Sequence, residues 1–395
     1  MVIPIIASVS IASSVFVRIE PAPYDYAMAV LVPFTFVFGL LDYFRKVLCL
    51  PIAMLGFFLL FNGVSLLHAE HLVYSARYAF ITTYCVVSSL FFAGLVLHYR
   101  DRGLKWFWRG YVAGGVLASA LGWLGVVGAP YCERFVWGGV RAVAGFKDPN
   151  VYGAFLVPAI LFALHSLRWS RSRTKFLAWS TAFGLMVAGH VLSQSRAGWL
   201  NLLVATVTYA ALSGGIYWST LKRYALGCVM ALWWLGLAIM INPKIFSFIK
   251  MRTGLMNYDL ERFSVQAAIL RKSLVSFGGI GPGETERVFN YAAHSLYLRV
   301  LIENGWLGSF AFGAFLTITV GGLLKRTWKA TGELERSNCA VVAAALVGAL
   351  VNSCFIDSLH WRHLWALLGL ALGYLALWKD KSSDTSESER RSNVE

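Results

Sequence analysis

Charged residues are scarce in this chain, and their scarcity excludes an ordinary soluble domain. They make up 14% of the 395 residues, whereas soluble domains usually contain about 25%. Hydrophobic residues account for 58%, and the mean hydropathy is +0.62. The apolar runs between charge clusters reach the roughly 17–25 residues that a membrane-spanning helix needs, and they lack the short alternation of a β-barrel. The composition therefore predicts an all-α polytopic membrane protein.

Several catalytic and metal-binding motifs are also absent. The six cysteines form no CxxC pair, and most lie in or near apolar runs, which predicts neither a disulfide framework nor a zinc site. The sequence has no P-loop, no GxSxG, no HExxH and no DxD-like acidic pair in a predicted outer loop. We therefore predict no metal site and no cofactor. A reaction of a lipid diphosphate here would depend on guanidinium groups, in place of Mg²⁺, to neutralise the leaving group.

The apolar runs predict about twelve membrane spans in one transmembrane domain, residues 1–378. Residues 2–17 are interpreted as a short first helix, and not as a cleaved signal peptide, because the first cation, Arg18, follows the run. Residues 379–395 are polar and Ser-rich, which predicts a disordered cytoplasmic tail. The predicted spans are 2–17, 26–44, 47–67, 72–98, 107–128, 150–167, 176–194, 197–217, 224–241, 295–324, 339–356 and 364–378.

Basic residues are concentrated in alternate hinges between these spans. The positive-inside rule explains the net charge of +15 without nucleic acid and places both termini in the cytoplasm. Loops 129–149 and 242–294 then lie on the outer face, which in a bacterium is the periplasm or the cell exterior. The hinges assigned to the cytoplasm carry Arg45, Lys46, Arg100, Arg102, Lys105, Arg168, Arg171, Arg173, Lys175, Lys222, Arg223, Lys325, Arg326, Lys329 and Arg336.

The stretch from Gly278 to Gly308 is the main polar interval of the outer face. It begins with a Gly-Pro-Gly turn that cannot continue a helix. His294 follows, just before a predicted span. A near-neutral imidazole can accept a proton from a hydroxyl, so His294 is a candidate catalytic base. The alternative is a capping or interfacial histidine.

Arginines of two other segments are candidate phosphate ligands. Arg196, in SQSRAGW, lies at the outer tip of a helical hairpin, where it either clamps a phosphate or extends to lipid headgroups. Arg262 begins a stretch that predicts a helix at the membrane surface, and Arg271 lies further along it. Both are possible phosphate ligands. The apolar residues that recur there at helical spacing are Phe263, Ala267 and Leu270.

Three further features are supporting candidates. Asp148-Pro149-Asn150 predicts a turn and helix cap, with a direct role in catalysis as the alternative. Lys147 adds a cation on the same predicted side. Arg77 lies in the outer part of the fourth predicted span, where a cation needs a partner or a wet cavity.

Four segments together resemble the O-antigen ligase and Wzy-type O-antigen polymerase superfamily, and are most similar to O-antigen ligases (WaaL-like). They cover roughly residues 140–325. FKDPNVYGAFL resembles the DPN-type segment that opens a helix, and SQSRAGWL resembles the Ser-Arg hairpin. The Arg262 region with GGIGPG resembles the Arg…GxGPG segment. AHSLYLRVLIENGWLG resembles the histidine signature, as His294-Ser295 followed, after nine residues, by Gly305.

The resemblance implies a metal-independent glycosyltransferase with a GT-C-like bundle in the bacterial inner membrane and a periplasmic active site. It implies undecaprenyl-diphosphate-linked glycan as the donor, with Arg196 and Arg262 on the diphosphate and His294 activating the acceptor hydroxyl. Direct displacement would invert the anomeric centre. Loop 242–294 would cover the headgroup and exclude water.

The same resemblance leaves the acceptor open. Ligation of O-antigen onto lipid A–core is the leading expectation. Polymerisation of lipid-linked repeat units into O-antigen, capsule or exopolysaccharide uses the same donor and motifs. A lipid or polysaccharide transporter is a third possibility, although transporters usually have charged or broken helices near the middle of the membrane. The expected partners are the donor, a lipid A–core or lipid-linked acceptor, and membrane lipids.

Overall fold

The computed structural model of the protein describes residues 2–37, 48–214, 218–252, 254 and 257–392, with the side chains of 34–37, 218–220, 257–258 and 378–392 excepted. The predicted hinge Arg45-Lys46 lies outside the described residues. The helices are α1 Val2–Ser13, α2 Pro23–Val37, α3 Cys49–Val64, α4 Leu72–Val126, α5 Pro149–Trp169, α6 Arg173–Leu192, α7 Arg196–Leu212, α8 Trp218–Ile241, α9 Lys244–Arg252, α10 Asn257–Ser273, α11 Thr285–Phe289, α12 Leu296–Lys329, α13 Glu333–Asn352 and α14 Arg362–Ser392; the strands are β1 Val136–Trp137 and β2 Arg141–Ala142.

The described chain is almost entirely helical, as expected for an all-α membrane protein. Seven of its helical stretches are long and apolar enough to cross a membrane: 49–68, 72–126, 149–169, 173–192, 221–241, 296–329 and 333–352. The stretch from 72 to 126 is two helices, because the backbone of Arg100 leaves the helical region (φ 46°, ψ −128°). A Cβ on Gly103 would lie 2.5 Å from the carbonyl oxygen of Leu95, so the chain reverses there. The two arms match the predicted spans 72–98 and 107–128.

The first helix is shorter than predicted. α1 ends at Ser13, and twelve residues rise only about 18 Å, whereas a bilayer core is about 30 Å thick. The hydroxyls of Ser13 and Ser14 donate to carbonyls three residues back, which satisfies acceptors at the helix end. The backbone N–H groups of Val17 and Arg18 then both donate to Gly145 O at 3.1 Å. The chain therefore leaves the helix to join the segment before α5.

The hinges assigned to opposite sides lie at opposite ends of α5. At its C-terminal end, Arg168 pairs with Glu333 at 2.5 Å, and Arg336 Nε donates to Leu212 O at 2.7 Å. At its N-terminal end, Arg141 Nε donates to Ser193 O at 3.2 Å. The hinges assigned to one side therefore meet at the same end of α5, which agrees with the predicted alternation of basic hinges. The orientation of the two ends relative to a membrane stays a prediction.

Close packing of α14 on α4 depends on two glycines at GxxxG spacing. A Cβ on Gly369 would lie 2.2 Å from Ser89 O, and one on Gly373 would lie 2.6 Å from Val96 Cβ. Small residues at this spacing let membrane helices approach closely. α14 then continues to Ser392, so the backbone of most of the predicted tail is helical. The disorder expected from its composition stays a prediction.

Candidate functional site

A cavity of about 180 Å³ lies where the segments assigned to the outer face meet. Its cationic lining comes from four elements: Arg141 of β2, Arg196 of α7, Arg252 of α9 and Arg262 of α10. No carboxylate belongs to this lining as far as the structure describes it. Four guanidinium groups in one concave site favour an anionic ligand, since their planar donors match phosphate oxygens. The remaining lining residues are Asn150, Ala197 and Ile356.

The helix predicted after Arg262 forms, and its inward face organises the site. α10 turns about 100° per residue, so positions four and seven after Arg262 share its face. Gln266 and Ile269 occupy these positions. Ile269 is fully buried in a small apolar cluster, and Gln266 Nε2 donates to His294 O at 3.2 Å. One face of α10 therefore brings Arg262 to the cavity and fixes the backbone of His294.

Arg271 does not share that face. It lies nine positions after Arg262, which is two and a half turns of a helix and puts it on the opposite side. It is exposed, and it does not line the cavity. Phe263 and Leu270 are also about half exposed, at 51% and 47%. These apolar side chains agree with the predicted contact of α10 with a membrane surface, which stays a prediction.

Arg196 is positioned by a cap and by one carboxylate. Ser195 is the N-cap of α7 and accepts a hydrogen bond from Gly198 N at 3.1 Å, so Arg196 is the first helical residue. Its Nη2 lies 2.5 Å from Asp259 Oδ1, and its Nη1 donates to Gly254 O at 3.1 Å. Asp259 is 6% exposed. These contacts join the hairpin of Arg196 to the start of α10.

The DPN turn also has a structural role. Asp148 caps α5 by accepting from Asn150 N at 2.5 Å, with Pro149 at the first helical position. This is the capping role that the sequence favours. Asn150 lines the cavity, and its Oδ1 accepts a long hydrogen bond of 3.5 Å from Arg141 Nη2. The turn therefore holds Arg141 at the cavity wall.

His294 lies beside the cavity and is not part of its lining. Its backbone has a left-handed φ of 47°, a strained conformation that histidine adopts more readily than most residues. Burial lowers the pKa of His294 below its usual value, and the neighbouring Arg262 lowers it further, while Asp148 and Asp357 oppose the shift. The imidazole is therefore held neutral, which is the form that accepts a proton. Ser295 caps α12, with Oγ 3.5 Å from Leu298 N.

The glycine-rich segment before His294 packs against a break in α12. Gly305 interrupts the helix with φ 70° and ψ −175°, and a Cβ there would lie 2.2 Å from Phe277 O. Ile280 N donates to Ile302 O at 2.9 Å across this contact. The sequence predicts close helix packing for Gly305 and Gly308. Close packing is found at Gly308, where an added Cβ would lie 3.2 Å from Phe61 Cβ of α3. Gly305 is needed instead for the break in α12.

Two of the supporting candidates lie away from the cavity. Lys147 Nζ pairs with Glu20 at 2.9 Å and lines a neighbouring pocket. Arg77 is exposed on α4 and lines neither. Conversely, the sequence interpretation assigned no role to Arg141, Arg252 or Asp259. The available signal was their position in predicted outer loops, which does not distinguish them from other charged loop residues.

The sequence interpretation also missed a second charge cluster, in which carboxylates surround one arginine. Arg299, one turn into α12, is 4% exposed and pairs with Glu286 at 3.0 Å, Glu303 at 3.1 Å and Asp357. Burial opposes ionisation of Asp357, but Arg299 outweighs it and lowers the pKa of that carboxyl. The i, i+4 spacing of Arg299 and Glu303 was a visible signal. The sequence interpretation did not use this signal because both residues lie inside a predicted span.

No protein-family model and no curated protein matches this chain. Within the described residues, no group of three or more His, Cys, Asp or Glu side chains is arranged to hold a metal ion. The site is therefore characterised by its own geometry: four arginines around a cavity, and a neutral-biased histidine next to one of them.

Proposed function

We propose that this protein is an inverting, metal-independent glycosyltransferase with a twelve-span, GT-C-like bundle. It transfers a glycan from undecaprenyl diphosphate to an acceptor hydroxyl at the periplasmic face of the bacterial inner membrane. The observation that supports this most strongly is the cavity lined by four arginines, including Arg196 and Arg262, with His294 next to Arg262. Ligation of O-antigen onto lipid A–core is favoured over polymerisation by the moderate size of loop 242–294 and the His294-Ser295 signature.

In the proposed reaction, Arg196 and Arg262 bind the diphosphate of the donor. The acceptor oxygen attacks the anomeric carbon while the bond from that carbon to the diphosphate oxygen breaks. The bonding electrons leave with the diphosphate, whose charge the guanidinium groups neutralise. His294 takes the hydroxyl proton, and the anomeric configuration inverts. Arg262 contributes twice, since it faces the leaving group and also keeps the imidazole neutral.

The polar wall of the cavity supports this division of roles. Asp259 engages Arg196, whereas Asn150 provides a neutral side chain beside Arg141. The lining is therefore strongly cationic, and the side chains of Arg196 and Arg141 are held by partners within the site. A diphosphate leaving group gains from such preorganised donors because they need not reorient as its charge develops.

The test is glycan transfer by purified protein in proteoliposomes, without an ion gradient. His294→Ala should lower the transfer rate by about 10²–10⁴-fold, the usual contribution of a general base. The exposed His98, at the other end of the bundle, is the matched control, and His98→Ala should transfer at the normal rate. Normal transfer by His294→Ala would remove the catalytic assignment. Gradient-free transfer by the unmodified protein would exclude a transporter.

A deletion strain separates the two acceptors. Accumulation of free lipid A–core together with intact undecaprenyl-linked polymer identifies a ligase. Lipid A–core capped with a single repeat unit identifies a polymerase instead.

A further inference from the structure

The β1–β2 hairpin presents an exposed tryptophan next to the cavity. Trp137 is opposite Arg141 in the antiparallel register, so both side chains lie on one face of the hairpin. The turn uses Gly138 and Gly139, both at left-handed φ values of 58° and 76°, which glycine adopts without strain. Trp137 is 55% exposed. The tight turn therefore presents an exposed indole ring beside Arg141.

Two further cavities meet at this tryptophan. The first, of about 290 Å³, shares Arg141 and Arg252 with the proposed diphosphate cavity and extends to Trp137 and Gly138. The second, here called the far cavity, has a volume of about 270 Å³; it is also lined by Trp137 and Gly138 and shares no lining residue with the diphosphate cavity. Trp137 and Gly138 therefore line both of these cavities, and Arg141 and Arg252 link the first of them to the proposed diphosphate cavity.

The far cavity combines cations with apolar walls. Its lining contains Arg18, Arg134 and Lys147 and, among the residues that the structure describes there, no carboxylate. Arg18 donates to the carbonyl of Arg134, and the Arg134 guanidinium lies 5.0 Å from the centre of the Phe135 ring. Both contacts leave guanidinium donors available, since each arginine is exposed. Lys147 is partly neutralised by Glu20 at 2.9 Å.

The apolar part of the lining adds a different recognition element. Trp137 and Phe146 supply aromatic surface, and Val136 and Val143 supply aliphatic surface, around the same space. Free phosphate would use only the cations, and a neutral sugar would use only the aromatic surface. A sugar that carries a phosphate or carboxylate would use both, because the C–H face of a pyranose packs on an aromatic ring while its anion meets guanidinium groups.

We propose that this far cavity, with Trp137 as its platform, binds a phosphate- or carboxylate-bearing sugar residue of a glycan substrate. The inference rests on the proposed function for its biological setting, and on the hairpin and the three cations for its chemistry. The anionic sugar belongs either to the acceptor or to the donor glycan. The cavity of about 290 Å³, which shares lining residues with both the far cavity and the diphosphate cavity, places the bound sugar near the diphosphate cavity.

The binding test uses the full chain in phosphatidylcholine nanodiscs and saturation-transfer NMR. The probes are glucose 6-phosphate, glucuronate, glucose and inorganic phosphate. The anionic sugars should bind, and both Trp137→Ala and the double change Arg18→Gln, Arg134→Gln should weaken them by about tenfold. Trp137→Phe keeps an aromatic ring and should restore most of the binding. Glucose and inorganic phosphate should each bind at least about fivefold more weakly than the anionic sugars.

Two exposed residues elsewhere serve as matched controls. Trp233 of α8 is 56% exposed, almost the same as Trp137, so Trp233→Ala controls for loss of a surface indole. Arg271→Gln controls for loss of a surface cation. Neither should change binding. The proposal is overturned if Trp137→Ala binds the anionic sugars normally, or if inorganic phosphate binds as well as they do.

Transfer kinetics then identify the source of the sugar. A rise in KM for the acceptor in Trp137→Ala assigns the cavity to the acceptor, and a rise for the donor assigns it to the donor glycan. The binding test is independent of transfer. If the protein transfers no glycan but sugar binding depends on Trp137, the proposed enzyme activity is rejected and the sugar site is kept. If the protein transfers glycan but sugar binding does not depend on Trp137, the sugar site alone is rejected.

Discussion

Two charge clusters at the same end of the bundle, one around Arg299 and one of four arginines at the cavity, have opposite surroundings. Arg299 is buried among the three carboxylates of Glu286, Glu303 and Asp357. The cavity has four arginines in its lining, and one of them, Arg196, pairs with Asp259. The first group is balanced internally and joins α11, α12 and the loop after α13. The second lines a cavity that is open to a ligand.

The difference distinguishes an arginine that is paired with carboxylates inside the fold from arginines that line a cavity. Arg299 lies just inside a predicted span and the cavity arginines lie in or beside predicted outer loops, so both kinds are cations near the outer ends of the spans. What separates them is that Arg299 is buried among three carboxylates, whereas the other four guanidinium groups line a cavity. Each of the following changes is designed to test one side of that contrast.

Arg299→Gln should have the largest effect, on folding. It leaves three carboxylates around a neutral amide, and breaking a buried ion pair from one side typically costs about 3–5 kcal/mol. Thermal unfolding of the purified protein should show a much lower Tm, or the protein should fail to accumulate. Arg262→Gln should keep a normal Tm. Equal destabilisation by both changes would contradict the division into structural and binding arginines.

Arg262→Gln should instead lower transfer, by about 10²–10³-fold, the usual effect of losing one donor to a developing oxyanion. Arg271→Gln, on the opposite face of α10, should transfer normally. Steady-state kinetics with the lipid-linked donor measure both. The reverse order of effects would assign the diphosphate to Arg271. Arg262→Lys should recover only part of the rate, because lysine keeps the charge and loses the planar fork.

Gly305→Ala tests the break in α12, which directly follows the turns that contain Arg299 and Glu303. Alanine would hold a left-handed φ and place Cβ 2.2 Å from Phe277 O, so a loss of about 1–3 kcal/mol is expected. Gly313 lies on the same helix, a Cβ there would have no neighbour within 4 Å, and Gly313→Ala should be neutral. Unfolding curves of the two variants measure the difference. A stable Gly305→Ala protein would show that the break is dispensable.

The smallest expected effect is a change in pH dependence. The pKa of His294 is lowered by burial and by Arg262, so the acid limb of the transfer rate should fall below the usual histidine range near 6.5. Removing the Arg262 charge removes one cause, and the acid limb of Arg262→Gln should move to higher pH. In Arg271→Gln it should stay in place. An acid limb that does not respond to Arg262 would separate that arginine from the base.

Individual elements show which parts of the fold could be predicted from the sequence. The Asp148 cap, the helix after Arg262 and the alternation of basic hinges were each predicted from local patterns, and each depends on neighbours a few residues away. The early end of α1 was not predicted. It is decided by Gly145, which accepts the hydrogen bonds of Val17 and Arg18 across more than a hundred residues.

The candidate site divides in the same way. Arg262 and Arg271 are equivalent in the sequence, as two cations of one amphipathic stretch. The structure distinguishes them because α10 is fixed by Ile269 and Gln266, which turns one arginine towards the cavity and the other outwards. Arg141 and Arg252 enter the cavity only because the hairpin and α9 fold back over it.

The sequence by itself determined that this is an all-α membrane protein, since hydrophobic run length and charge distribution follow directly from residue type. It also predicted the Asp148 cap and the Gly-Pro-Gly turn before His294, because these preferences are local. Only the tertiary structure decided which arginines share a cavity and which one is neutralised by carboxylates. Those relations join residues far apart in the chain, and electrostatic balance depends on distances of a few ångströms that no local pattern specifies.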